Sequence, residues 1–135
     1  MIAVLVGLVL AGGLLPSQGA SETATQFYMR YQSVVKNATS IDQVVALWAP
    51  ALADEYTSAP PDQRVDLAGL KQMYGRVSNV KVTRERLVPG RTDDAMLDLE
   101  GTGAGEKKMT GTAHVFKQAG QWKLAAQEDW HGLPG

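Results

Sequence analysis

The sequence predicts an α+β domain in which the helices come first and an antiparallel sheet follows. Two observations support this fold class. Over residues 21–74, apolar residues recur at intervals of three and four, which is the spacing of one face of a helix. From residue 80 onward they alternate with polar residues, as on a strand with one buried face. Because no helical pattern separates the strands, we expect them to form an antiparallel meander.

The first predicted helix runs from Ser21 to Asn37. Its apolar residues fall along one stripe and are Ala24, Phe27, Tyr28, Tyr31, Val34 and Val35. Thr23 and Gln26 have the spacing of a capping box, in which each side chain bonds a free backbone N–H group at the start of the helix. The pattern therefore gives this helix a buried face and a defined beginning.

A second, shorter helix is predicted from Ile41 to Ala49. Ser40 and Gln43 repeat the capping-box spacing. Pro50 is expected to end this helix, because proline has no N–H group and clashes with the preceding turn. Residues 51–56 are compatible with one further helical turn.

A third helix is predicted from Asp62 to Tyr74, after two prolines. Its apolar residues keep the helical spacing and are Val65, Leu67, Leu70, Met73 and Tyr74. Gly75 is expected to adopt the left-handed conformation that commonly ends a helix.

Four strands are predicted in the second half of the chain. They lie around residues 80–83, 95–100, 108–117 and 122–129. Turn residues separate them, including a glycine-rich loop from Gly101 to Glu106. Trp122 has the same phase as Leu124 and is therefore expected to belong to the core.

The first 21 residues carry no charged side chain. Residues 2–15 are an apolar run, which is shorter than the roughly 20 residues that a transmembrane helix needs. Small residues at positions 17, 19 and 20 fit the cleavage site of a secretory signal peptide. We therefore expect a signal peptide at residues 1–20 and a single domain at 21–135, secreted or exported to the periplasm. An uncleaved anchor is the alternative, because no Lys or Arg precedes the apolar run.

Composition narrows the functional classes. The chain has no cysteine, which excludes disulfides, thiolate metal sites and the acceptor residue of a lipoprotein. A formal net charge of −1 gives no electrostatic footprint for nucleic acid or for an anionic membrane surface. With two histidines in all, no metal or other cofactor is predicted.

Four segments carry a resemblance to a known superfamily. They are VVKNATSIDQVVALWAP, DLAGLKQMYG, the strand pair NVKVTRERL and DDAMLDLEGTG, and the hairpin KKMTGTAHVFKQAGQWKLAAQEDW. Together they resemble the nuclear transport factor 2-like superfamily of cone-shaped domains, and most of all its small exported bacterial members of unassigned function. The resemblance implies three helices packed on a curved, four-stranded antiparallel sheet. Because this superfamily includes isomerases, dehydratases, ligand binders and assembly modules, the fold does not fix the function.

Enzymes of this superfamily use an Asp or His base with tyrosine donors, and the candidates here are His114 and Asp98. We interpret Asp98 as lying on the solvated face of its strand, because the opposite phase is apolar. His114 lies on the mixed phase of its strand, and no carboxylate at a fixed local spacing orients its ring. We therefore assign no catalytic residue and expect His114 to be dispensable.

Four aromatic residues are candidates for lining a pocket in the cone: Tyr28, Tyr31, Trp48 and Trp122. Tyrosine hydroxyls on the buried stripe of the first helix would supply hydrogen-bond donors to a ligand. The alternative is that these side chains only fill the core.

Three functional hypotheses remain open. The first is a non-enzymatic exported domain that binds a small apolar ligand or a protein partner through the cone. The second is a ketosteroid-isomerase-like isomerase or dehydratase using His114 or Asp98 with a tyrosine donor. The third is a homodimer that buries the outer face of the sheet. Either candidate residue, if placed beside a tyrosine oxygen in an apolar pocket, would favour the enzyme.

Overall fold

The computed structural model of the chain describes residues 22–132. It confirms the α+β fold class, since four α-helices in this range precede five strands of one antiparallel sheet. The arrangement is consistent with helices packed on a curved sheet. The predicted signal peptide at residues 1–20 lies outside the described residues. None of the helices that the structure describes is long and apolar enough to cross a membrane.

The helices are α1 (Ala24–Asn37), α2 (Ile41–Val45), α3 (Pro50–Ser58) and α4 (Leu67–Gly75). The strands are β1 (Ser78–Leu87), β2 (Asp94–Thr102), β3 (Lys108–Gln118), β4 (Gln121–Leu124) and β5 (Asp129–Gly132). Short 3₁₀ turns occupy Pro61–Gln63 and Ala104–Glu106.

Two sets of hydrogen bonds fix the start of α1. The predicted capping box is present: the Gln26 backbone N–H donates to the Thr23 hydroxyl (3.0 Å), and the Gln26 amide oxygen accepts from the Thr23 N–H (2.9 Å). In addition, the backbone N–H and hydroxyl of Thr25 both donate to Glu85 on β1. The first turn is therefore tied to the sheet, which sets the rotation of α1 and directs Tyr28 and Tyr31 inward.

The second helix is shorter than predicted. It ends at Val45, and the chain then pairs with β4 through hydrogen bonds from the Leu124 N–H to the Leu47 carbonyl (2.8 Å) and from the Ala49 N–H to the Leu124 carbonyl (2.7 Å). Pro50 does not end a helix but begins α3, a position that proline tolerates because no N–H group is needed there.

The third predicted helix also begins later, at Leu67. The side chain of Asp66 accepts a hydrogen bond from the Gly69 N–H (2.8 Å) and so acts as the N-cap. The prediction of a left-handed cap at Gly75 was wrong. Gly75 is the last helical residue, and Arg76 after it is in the right-handed region (φ −68°).

The sheet has the order β1-β2-β3-β4, and β5 pairs with β3 beside β4. The helices cover one face, on which the buried residues are those of the predicted apolar phase: Ala95, Leu97, Leu99, Ala113 and Val115. Trp122 is 6% exposed, which confirms its predicted place in the core. The opposite face carries ion pairs such as Arg86 with Asp98 (2.7 Å). Whether a second copy covers that face stays a prediction.

The predicted fourth strand is broken into β4 and β5. Five positions separate Leu124 from Asp129, whereas three separate their partners on β3, Val115 and Thr112, so the break inserts two extra residues. Because side chains alternate with a period of two, this insertion preserves the phase of the strand. Glu128, just before β5, consequently faces the helices.

Trp130 on β5 lies over a glycine of the neighbouring strand. A Cβ atom at Gly111 would come within 2.8 Å of the Trp130 ring and 2.7 Å of the Asp129 carbonyl oxygen. Gly101, predicted to lie in a loop, is in β2, where a Cβ atom would collide with Val77. The absence of side chains at these two positions allows Trp130 and Val77 to pack close to the sheet.

Candidate functional site

A cleft of about 620 Å³ opens between α1, α4 and the beginning of β1. Its volume is within the range of small-molecule sites, about 300 to 1,000 Å³. Met29, Val77 and Val80 supply apolar surface, whereas Lys36 and Lys71 supply positive charge. The cleft can therefore accept a ligand with both apolar and polar parts.

A β-bulge shapes the wall that β1 contributes. Ser78 pairs with Thr102 and Lys81 pairs with Glu100, so β1 has one more residue than β2 between these pairs. Within the bulge Asn79 has a φ of 54°, in the left-handed region that asparagine adopts more readily than most residues. Bulges redirect the side chains around them, and this one lies in the wall of the cleft.

A smaller cavity of about 70 Å³ adjoins the cleft. The two share the lining residues Gln32, Tyr74, Val77 and Val80. Met73, Gln127, Glu128 and Trp130 line the small cavity but not the cleft itself. Glu128 therefore lies beside the cleft, in a small cavity that shares part of the cleft wall.

Two tyrosines hold the Glu128 carboxyl group. The hydroxyl of Tyr28 donates to Oε2 (2.9 Å), and the hydroxyl of Tyr74 donates to Oε1 (2.8 Å). The Gln32 side-chain amide in turn donates to the Tyr28 hydroxyl (2.7 Å). Residues on α1, on α4 and before β5 thus meet at one carboxylate.

A second chain of donors reaches the same carboxylate from the core. The Trp48 indole N–H donates to the Tyr31 hydroxyl (3.0 Å), and the Tyr31 and Tyr74 oxygens are 2.6 Å apart. Since the proton of Tyr74 is directed at Glu128, Tyr31 is the donor to Tyr74. Every hydrogen bond in the two chains is therefore directed toward Glu128, which is the pattern that an acceptor group requires.

Burial and hydrogen bonding act in opposite directions on Glu128. Burial raises the pKa of its carboxyl group, and the hydrogen bonds from Tyr74 and Tyr28 offset part of that rise. Burial, with the nearby Glu128 charge, also raises the pKa values of Tyr28, Tyr31 and Tyr74, so all three remain neutral donors. Glu128 is thus the titrating group of this network.

The structure brings three of the four pocket-lining candidates together. Tyr28, Tyr31 and Trp48 are buried side by side and linked by the network, beneath the cleft rather than in its wall. Trp122 is not part of this network. Its indole N–H donates to the Glu22 carbonyl (2.9 Å), before the start of α1.

His114 and Asp98 lie on the face of the sheet opposite to the helices. Nε2 of His114 bonds the carboxylate of Asp94 on the adjacent strand, a partner that sequence spacing did not reveal. Asp98 accepts a hydrogen bond from Arg86 (2.7 Å), as expected for a solvated strand face. Neither residue lines the cleft or the small cavity.

Sequence reasoning missed Glu128, Tyr74 and Gln32 as site residues. A signal for Glu128 was present, because it shares the phase of Trp122 and Leu124 and so places a carboxylate among inward-facing positions. Tyr74 was assigned only to the apolar stripe of its helix. No local pattern links Gln32 to the other two.

Within residues 22–132, no group of three or more His, Asp or Glu side chains is arranged to hold a metal ion. The polar side chains that line the cleft include Gln32, Asn79, Lys36 and Lys71, and Glu128 lines the adjoining small cavity.

The geometry defines a class of protein: an α+β domain with a cleft between its helices and its antiparallel sheet, beside a carboxylate that accepts hydrogen bonds from two tyrosines. No family model, curated protein or solved structure matches the chain. The site is accordingly interpreted from its own residues.

Proposed function

We propose that this chain is an exported domain that binds a small molecule with an apolar body in the cleft between α1, α4 and β1. The observation that carries this proposal is the 620 Å³ cleft with its adjoining small cavity beside Glu128. A mostly apolar pocket with a few convergent polar groups is the usual form of a small-molecule site. The resemblance to the nuclear transport factor 2-like superfamily, whose members bind ligands in the cone, supports the same function.

The walls of this cleft are held in place by contacts that do not depend on a ligand. Thr25 and Glu85 tie α1 to β1, and Tyr74 and Glu128 tie α4 to the sheet. A site that is already formed avoids much of the entropic cost of ordering its groups on binding. This argues for a small ligand within the cleft.

A pair of variants on β1 tests the proposal. Val80→Trp would place an indole in the cleft, whereas Leu87→Trp adds the same group at a 51% exposed position outside it. In NMR titrations with apolar fragments, we expect shifts at Gln32, Tyr74 and Val80 in the natural protein and in Leu87→Trp. We expect Val80→Trp to lose binding. If no fragment shifted the cleft signals of the natural protein, the proposal would be wrong.

Export is tested separately. We expect the mature protein to begin at Ala20 or Ser21, which mass spectrometry of its N-terminus would show. A membrane-associated chain that still begins at Met1 would contradict the export and support an anchor.

An acid–base enzyme is the second candidate, favoured by a specific observation. A carboxyl group with a raised pKa lies within 2.9 Å of two tyrosine oxygens at the edge of a cavity. A carboxyl group placed in this way can act as a general acid or base toward a substrate. In this hypothesis Glu128 replaces His114 and Asp98 as the acid–base residue.

Deuterium exchange into ketone fragments would separate the two candidates. An enzyme of this kind would catalyse exchange next to the carbonyl, lose it in Glu128→Gln and keep it in His114→Ala and Asp98→Asn. Binding of the fragments without exchange would support the non-enzymatic function.

A further inference from the structure

The small cavity beside Glu128 combines a carboxylate with aromatic surface. Tyr74 and Trp130 line it together with Glu128, and Met73, Val77 and Val80 supply aliphatic surface. From this arrangement we propose that the cavity recognises an ammonium group, so that the ligand of the cleft is a small organic amine with an apolar body. This inference rests on the proposed function.

The carboxylate of Glu128 keeps acceptor capacity for such a group. An ionised carboxylate offers about four lone-pair sites. Tyr28 takes one at Oε2 and Tyr74 takes one at Oε1. An ammonium group in the cavity would donate N–H groups to remaining sites, in charge-assisted hydrogen bonds that are stronger than neutral ones.

Glu128 has no cationic partner in the part of the chain that the structure describes. No Lys, Arg or His nitrogen of residues 22–132 forms an ion pair with it. By contrast, Asp94, Asp98 and Glu100 on the sheet each contact a basic side chain. A carboxylate removed from water without a counter-charge is unfavourable, and a bound cation would relieve this cost. The ligand would thus supply the charge that the described residues do not.

The aromatic walls favour the same kind of group. The faces of Trp and Tyr rings attract cations that lie within about 6 Å of the ring centre. Trp130 is held against Gly111, where a Cβ atom would overlap with its ring, so its position is fixed before any ligand binds. A neutral alcohol would gain little from these ring faces.

The positive charges of the cleft lie toward its other end. Lys71 donates through Nζ to the backbone carbonyl of Lys36 (3.2 Å), at the last turn of α1. Gln32, which lines the small cavity, precedes Lys36 by four residues, or about 6 Å along a helix. A bound amine would therefore direct its nitrogen toward Glu128 and away from the lysines.

A matched pair of probes tests the inference. Benzylamine and benzyl alcohol share an apolar ring and differ in the charged group. We expect benzylamine to bind the natural protein about tenfold more tightly or better. In Glu128→Gln, amine affinity should fall to that of the alcohol, while alcohol affinity stays the same. Asp98→Asn removes an equal charge from the outer face and should change neither affinity.

The outcomes distinguish this inference from the proposed function. Equal affinities of the two probes would overturn the ammonium site and leave the cleft as a ligand site, whereas binding of neither probe would overturn both. Amine preference that survives in Glu128→Gln would also overturn the inference. Since that variant could fail to fold, NOE contacts in the natural protein give an independent test. The aminomethyl protons should contact Trp130 and Tyr74, and the reversed orientation would contradict the proposal.

Discussion

The hydroxyl of Tyr74 donates a 2.8 Å hydrogen bond to Oε1 of Glu128. One residue is near the end of α4 and the other is in the break between β4 and β5, so this bond joins the helical layer to the sheet. Tyr28 makes the equivalent bond to the second carboxylate oxygen from α1. The Glu128 carboxylate is therefore held by donors from two helices that are distant from it in sequence.

The buried carboxyl group predicts a pH-dependent stability. Because the pKa of Glu128 in the folded protein lies above its ordinary value of 4.5, the folded state binds the proton more tightly than the unfolded state. The stability that this provides is fully present below pH 4.5 and is lost as the pH rises through the raised folded pKa. Because glutamine does not titrate, we expect the unfolding free energy of the natural protein to fall relative to that of Glu128→Gln over that range. Urea denaturation at several pH values would show it, and a constant difference would contradict the raised pKa.

Tyr74→Phe should destabilise the protein by about 1 to 3 kcal/mol, because the Glu128 Oε1 atom loses its tyrosine donor and the Tyr31 O–H loses its acceptor. Tyr56→Phe is a suitable control. Tyr56 packs edge-on against Trp48, but its hydroxyl has no hydrogen bond within residues 22–132. Its removal should change stability by less than about 0.5 kcal/mol. Urea midpoints that shift equally in the two variants would count against the network.

Gly111→Ala should be destabilising, because the added methyl group would come within 2.8 Å of the Trp130 ring and 2.7 Å of a backbone oxygen. Overpacking of this kind typically costs about 1 to 3 kcal/mol. Gly75→Ala has free space around the new Cβ atom and a helical backbone, so it should be neutral or stabilising by up to about 1 kcal/mol. The melting temperatures of both variants, compared with that of the natural protein, test these expectations. An unchanged melting temperature for Gly111→Ala would show that β5 does not lie against β3 as described.

Trp122→Ala should cost about 3 to 5 kcal/mol, as expected for the truncation of a buried tryptophan. The substitution also removes the hydrogen bond that its indole makes to the Glu22 carbonyl. Leu87→Ala, at a position that is half exposed, should stay within about 0.5 kcal/mol of the natural protein. If Trp122→Ala kept its melting temperature, the inward phase of β4 would be wrong.

The sequence by itself determined the fold class, the capping box of α1 and the inward phase of the strands. These features depend on local periodicity and on pairs of residues three positions apart, which are visible in any single segment. It also determined that Tyr28, Tyr31 and Trp122 are buried, because they occupy the apolar phase of their elements.

Only the tertiary structure decided what these residues do together. Pro50 begins a helix because the preceding segment pairs with Leu124, a contact across more than 70 positions of sequence. The break between β4 and β5 depends on pairing with β3, and it places Glu128 among tyrosines from α1 and α4. Hydrogen-bond partners and desolvation depend on neighbours in space rather than in sequence. For that physical reason, the inward phase of Glu128 could be predicted from the sequence, but the donors that surround it could not.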